Sequence, residues 1–146
     1  MKDIAIKRTM AATLANKFYK QKKDRKYAFK KAWEIANDTR PLGSRVAGVS
    51  FRNRQTALER LEKYEPGKVF VTLEREADNL NDGNAVKVLV NIESRDKYHL
   101  GYLPVKMAAL LAPLLAKGFE PQATFEGVTG GYEGHATRGA LIGIKL

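Results

Sequence analysis

Apolar positions in the first third of the chain recur at helical spacing. Met10, Leu14 and Phe18 follow at four-residue intervals with Ala11 and Ala15 beside them, which lays one apolar stripe along a helix. Asp24 is placed to cap a second helix, whose Phe29, Ala32, Trp33 and Ala36 form another stripe. Two such stripes can close on each other as a helical hairpin or dock on the domain C-terminal to them. Asn37-Asp38-Thr39-Arg40-Pro41-Leu42-Gly43-Ser44 then reads as a helix stop and a linker. The pattern predicts a helical extension over residues 1–40 and a second unit over 45–146.

Beyond Arg45 the periods change. Val46–Phe51 is a short β-like run, and Ala57, Leu58 and Leu61 stand at helical spacing between Arg54 and Lys63. Glu65-Pro66-Gly67 is a turn. Lys68–Arg75, Ala85–Ile92 and Tyr98–Leu103 are rich in β-branched and aromatic residues and read as strands. Pro104 suits the first turn of a helix running through Met107, Leu110 and Leu111. Pro113 is expected to kink or restart that helix, and Gly118 to end it. Phe119–Val128 and Ala136–Leu146 are two last strands joined by the glycine-rich stretch 130–134. The expected fold is α+β: a small half-open barrel of about six strands with two packed helices, preceded by the helical hairpin.

Charge sharpens the division. The net charge is +10, and it is concentrated at one end. Residues 1–45 hold 13 of the 26 Lys and Arg side chains but only four of the 16 acids, Asp3, Asp24, Glu34 and Asp38. Lys17, Lys20, Lys22, Lys23, Arg25, Lys26, Lys30 and Lys31 crowd the connection between the two helices and their outer faces, with Lys22, Lys23, Arg25, Lys26 and Lys30 the foremost. That density points to phosphate contacts, which add salt-dependent affinity without sequence information; the alternative is a solvated face. The chain has no cysteine, which excludes disulfides, thiolate metal sites and cysteine nucleophiles and fits a reducing compartment. No stretch resembles a signal peptide or a membrane span, so a cytoplasmic protein without a membrane partner is expected.

The most informative stretch is Leu73-Glu74-Arg75-Glu76-Ala77-Asp78-Asn79-Leu80-Asn81-Asp82-Gly83-Asn84-Ala85-Val86-Lys87-Val88. It resembles the signature of the HIRAN domain family, in which a strand ends in Arg-Glu, an Asn-Pro-Tyr-Asp loop comes next, and Asn-Ala opens the next strand. Val46–Phe51, with Arg54 just beyond, looks like the family's opening strand. Leu100-Gly101-Tyr102-Leu103-Pro104 looks like its turn into a helix. The three pieces stand in order and cover roughly residues 45–118.

The resemblance implies an OB-like barrel that binds DNA, in the best-understood members the free 3′ end of a single strand, in repair or replication-fork settings. By position, Phe51 would stack on a base and Asp82 would accept from the 3′ hydroxyl. Asn79 would help hold the loop, with Arg54 beside the opening strand. Tyr102 would lie near the backbone, and Lys106 would contact a phosphate. Stacking on an aromatic contributes roughly 1–3 kcal/mol per base and tolerates any sequence. Two departures stand out: Leu80 and Asn81 replace the proline and aromatic of the loop, and Ser50 replaces a basic residue beside Phe51. Each position also has a plainer reading, with Phe51 and Tyr102 as barrel core, Asp82 as turn chemistry, and Arg75 paired with Glu74 or Glu76.

Other chemistries fit less well. Asp78–Gly83 echoes a calcium loop, but Leu80 and Leu89 stand where oxygen ligands are needed. His99 and His135 lack zinc-ligand spacing. Glu74, Glu76 and Asp78 alternate, and on a strand would share one face able to hold Mg²⁺, as in a metal-dependent nuclease. A further alternative is a protein-interaction adaptor with a basic arm. The expectation is a non-catalytic binder of single-stranded DNA or other nucleic acid, without cofactor or metal, with replication or repair proteins as further partners.

Overall fold

In a computed structural model, residues 3–38, 40–93 and 95–146 are described; Thr39, inside the expected linker, lies outside them. Two helices packed on each other come first, α1 (Ile4–Lys22) and α2 (Arg25–Asn37). The Asp3 and Asp24 carboxylates cap them by accepting from the Ile6 and Tyr27 amides at 2.8 and 3.1 Å. Lys23, between them, takes the left-handed conformation (φ 56°) and donates its N–H to the Tyr19 carbonyl.

Met10, Ala11, Leu14, Ala15 and Phe18 are buried as the spacing predicts. The buried stripe of α2 is different. It consists of Ala28, Ala32 and Ala36, at intervals of four, while Trp33 is half-buried and Phe29 is 55% exposed. Three alanines in a row let the helix axes approach closely, and the large ring one position on is turned outward.

The remaining elements are β1 (Leu42–Arg45), α3 (Arg52–Leu61), a 3₁₀ turn at Pro66–Lys68, β2 (Val69–Arg75), β3 (Val86–Ile92), β4 (Tyr98–Tyr102), α4 (Val105–Ala116), β5 (Gln122–Thr129) and β6 (Gly139–Lys145). All strand pairs are antiparallel, in the order β1-β6-β5-β2-β3-β4. The sheet curls until its two edges meet. Ala47, just past β1, exchanges both backbone hydrogen bonds with Tyr102 at the end of β4, at 2.7 and 3.0 Å. One pair of bonds thus turns a sheet into a half-open barrel.

The first strand lies earlier than the expected 46–51. Gly48 (φ +74°) bends the chain out of the sheet. The carbonyls of Gly48 and Val49 then leave the ladder and accept instead from Arg54 Nη1 (2.6 Å) and Gln55 Nε2 (2.7 Å). Phe51 therefore does not sit in a strand; it immediately precedes α3. In α4, Pro104 holds the capping position and the helix runs through Pro113 as one element, with Gly118 (φ +88°) just beyond its end.

The core is one cluster. Val86, Val88, Val90, Leu100, Ile142 and Ile144 point inward from the sheet, Leu58 and Leu61 from α3, and Leu111 and Leu114 from α4. The buried stripes of α1 and α2 belong to the same cluster, with α1 packed on α4. Among the described residues, no helix is long and apolar enough to cross a membrane.

Candidate nucleic-acid interface

At the mouth of the barrel, beside the Ala47–Tyr102 seam, polar side chains converge on Glu76. β2 ends at Arg75, and one further backbone bond, Glu76 N–H to the Ala85 carbonyl at 2.8 Å, closes the base of the loop between β2 and β3. The Glu76 carboxylate accepts from Asn79 Nδ2 (2.9 Å) and the Tyr102 hydroxyl (3.3 Å), and pairs with Lys87 Nζ (3.2 Å). Burial works against the charged form of Glu76. The hydrogen bonds from Asn79, Lys87 and Tyr102 and the Lys87 charge outweigh it, so the group titrates below its ordinary range. Lys87 is raised by its bond to Glu76 and by the charge of that carboxylate. Arg75, the partner expected from adjacency, is exposed and takes no part.

Asn79 carries this order into the loop. Its Oδ1 accepts from the Asn81 and Asp82 amides at 2.9 and 3.0 Å. Asp82 Oδ1 in turn accepts from the Asn84 amide at 2.9 Å, which is the turn chemistry of an Asx residue. The half-buried Asp82 carboxylate is held in place by that bond. Leu80 stands fully exposed at the tip, and Asn81, where an aromatic would complete a second stacking surface, is also exposed.

On the other side of the seam Phe51 is 66% exposed, so it is not barrel core. The Arg54 guanidinium lies 5.4 Å from the Phe51 ring centroid while bonding the Gly48 carbonyl, and so fixes the ring's surroundings. Tyr102 is half-buried; its ring meets that of His99 edge-on at 4.8 Å. His99 Nε2 lies 2.9 Å from the Gly101 carbonyl, so that nitrogen carries the proton. Burial, above all, lowers the His99 pKa, with the Arg54 and Lys87 charges adding to it.

Contacts thus join Arg54 to Phe51 on one side of the seam, and Tyr102, Asn79 and Asp82 through Glu76 on the other. The structure does not bring Lys106 into either set; Lys106 is exposed in the first turn of α4. Lys22, Lys23, Arg25, Lys26 and Lys30 are exposed around the α1–α2 turn, where Lys22 lies over Tyr27 and Lys23 and Arg25 lie over Tyr19 at 4.6–5.8 Å. Glu74, Glu76 and Asp78 do not converge. Glu76 is engaged as above while the other two face solvent, and among the described residues no cluster of His, Asp or Glu is placed to hold a metal ion. Sequence reasoning missed Glu76 and Lys87 as the organising pair. No local pattern announces the pair: Lys87 lies opposite Glu74 in the β2–β3 register and meets Glu76 only where the chain leaves β2.

A six-stranded antiparallel sheet curled until Ala47 and Tyr102 bridge its edges is a half-open barrel of OB-like architecture. The HIRAN domain model matches residues 42–133, and the chain belongs to this family of nucleic-acid-binding domains. Among solved structures, a protein from Lactobacillus plantarum determined by a structural genomics consortium is 23% identical, with TM-score 0.42, covering 73% of this chain and 95% of its own. The HIRAN domain of human HLTF is 22% identical, with TM-score 0.40, covering 71% of this chain and 74% of its own. No curated protein matches the sequence.

Proposed function

We propose that this protein binds single-stranded DNA without chemistry of its own, and that the barrel mouth holds the strand's free 3′ end in a repair or replication-fork setting. What supports this reading is a solvent-exposed Phe51 ring beside Arg54, together with an Asp82 loop braced through Asn79 and Glu76 to Tyr102. The terminal base stacks on Phe51, which supplies affinity without sequence preference. The free oxygen of Asp82 accepts from the 3′ hydroxyl, and its charge repels a further phosphate, so an end is favoured over an internal linkage. Asn79 holds Asp82 in position, Tyr102 lies near the backbone, and Lys106 with the exposed cations Lys22, Lys23, Arg25, Lys26 and Lys30 adds phosphate contacts. With Asn81 in place of an aromatic, one ring does the stacking. The helical pair α1–α2, within residues 1–40, serves as a basic handle for a nearly neutral reader over 45–146.

The test compares single strands ending in a 3′ hydroxyl, a 3′ phosphate, and a closed circle across a salt series. Preference for the hydroxyl, lost in Asp82→Ala while internal-strand affinity is kept, is the expected outcome. Equal affinity for all three rejects end recognition, and Mg²⁺-dependent cleavage rejects the non-catalytic reading.

A further inference from the structure

Between α1 and α4 lies an open groove of about 470 Å³, its exposed lining mostly apolar and its edges carrying lysine and amide side chains. Lys17 and Lys20 reach it from α1 and Lys117 from the end of α4, with the Asn16 and Asn84 amides beside them. Asn84 also closes the Asp82 loop, since its amide N–H is the one the Asp82 carboxylate accepts. The groove therefore begins where that loop ends.

Toward the helical pair, the groove reaches a crowd of cations. Lys17 and Lys31 share the Phe18 ring, with their ammonium groups 5.9 and 4.6 Å from its centroid. Lys31 also donates to the Tyr27 hydroxyl at 3.2 Å, and Lys22 lies 4.6 Å from the Tyr27 ring. Among the described residues no acid forms an ion pair with these lysines; the ion pairs there are Arg40–Asp38, Lys87–Glu76 and Arg138–Glu62. Burial lowers the Lys17 pKa, and the Lys31 charge adds to the effect. The rings attract these ammonium groups, but the like charges repel one another, and an anion entering from outside relieves that repulsion.

We propose that the α1–α4 groove is a track for the sugar–phosphate backbone of a nucleic acid, with Lys17, Lys20 and Lys117 contacting phosphates that lead away from the Asp82 loop. The track rests on the nucleic-acid reading above and deepens it. The mouth takes the end of the strand, and a surface built largely from α1, outside the residues matched by the family model, takes its interior. Affinity then grows with strand length until the track is filled.

The experiment measures binding of the full chain to 3′-hydroxyl single strands of about 4 and about 20 nucleotides, within and beyond the span of one barrel, over a salt series. The triple variant Lys17→Gln, Lys20→Gln, Lys117→Gln is compared with a charge-matched control, Lys63→Gln, Lys68→Gln, Lys145→Gln, on surfaces away from the groove. Wild type is expected to favour the long strand. The groove variant loses that gain, keeps short-strand affinity within about twofold, and flattens the salt slope by about 2, since each neutralised phosphate contributes about 0.7. The control keeps the length gain. Lys17→Gln alone is expected to raise the melting temperature, because it thins the crowd.

A groove variant that retains the length gain, or that weakens short and long strands equally, overturns the track while leaving nucleic-acid binding in place. A wild-type protein that binds neither strand but binds anionic phospholipid vesicles at the same salt overturns both readings.

Discussion

Gly101 has no room for a side chain because Ala47 lies directly against it. A Cβ there would collide with the Ala47 carbonyl oxygen and stand 2.8 Å from Val46 Cγ1. The close approach is a condition of the seam, since the neighbouring Tyr102 must reach Ala47 with both its backbone groups. Gly101→Ala forces its new methyl against backbone, where no flexible side chain can yield. The expected cost is about 1–3 kcal/mol, read as a lower denaturant midpoint, with faster amide exchange at Ala47 and Tyr102.

Gln55 fastens the other side of the mouth. From α3 its amide donates to the Val49 and Arg138 carbonyls at 2.7 and 2.8 Å and accepts from the Arg138 N–H at 2.8 Å. Gln55→Ala leaves three half-buried backbone groups without these partners, and a loss of about 1–3 kcal/mol is expected. Gln55→Glu is expected to be worse than alanine at neutral pH, because a carboxylate then faces two carbonyl oxygens. Raising the proton concentration should narrow the gap between the two variants. Chemical denaturation at about pH 7 and about pH 4, either side of the ordinary glutamate range, distinguishes them.

Glu76 predicts an acid limb. Its folded-state pKa is depressed, so its stabilising contribution is complete above the ordinary glutamate value and is lost as pH falls through the lower folded value. Glu76→Gln removes the attraction to Lys87. The variant is expected to be less stable at neutral pH and to show a shallower loss on acidification, with the two melting curves converging at low pH. Parallel loss in both proteins would assign the acid limb to other carboxylates.

Phe51 separates binding from folding. Its ring is mostly solvated, so Phe51→Ala is expected to change stability by no more than about 0.5 kcal/mol. Single-strand affinity is expected to fall by about 1–3 kcal/mol, roughly fivefold to 150-fold. Fluorescence titration alongside thermal melting reads both effects.

Local periodicity carries much of this fold. The stripe Met10–Leu14–Phe18, the valine alternation of β3 and the two aspartate caps are short-range patterns, and the structure follows them. Ala28 escapes such a reading because alanine is weakly apolar and the ring of Phe29 beside it dominates any hydrophobicity count. The first strand is displaced because Gly48 and the side chains of Arg54 and Gln55 decide where the ladder stops, and neither leaves a trace in the pattern of 46–51. Alternation also fails at Glu76, since β2 ends one residue earlier and the chain turns there. The loop residues Asn79 and Asp82 are legible as a motif. Their brace, Glu76 with Lys87 and Tyr102, joins three strand ends separated in sequence and needs the tertiary structure to appear.

The seam between Ala47 and Tyr102 gives the molecule a built-in gauge. The peptide unit that locks the barrel also carries the Tyr102 ring into the mouth, and the segment leaving Ala47 delivers Phe51. A ligand held across that mouth clamps both sides of the lock. The amide protons of these two residues should therefore slow their exchange with solvent in proportion to occupancy, reporting the ligand's arrival with no label attached.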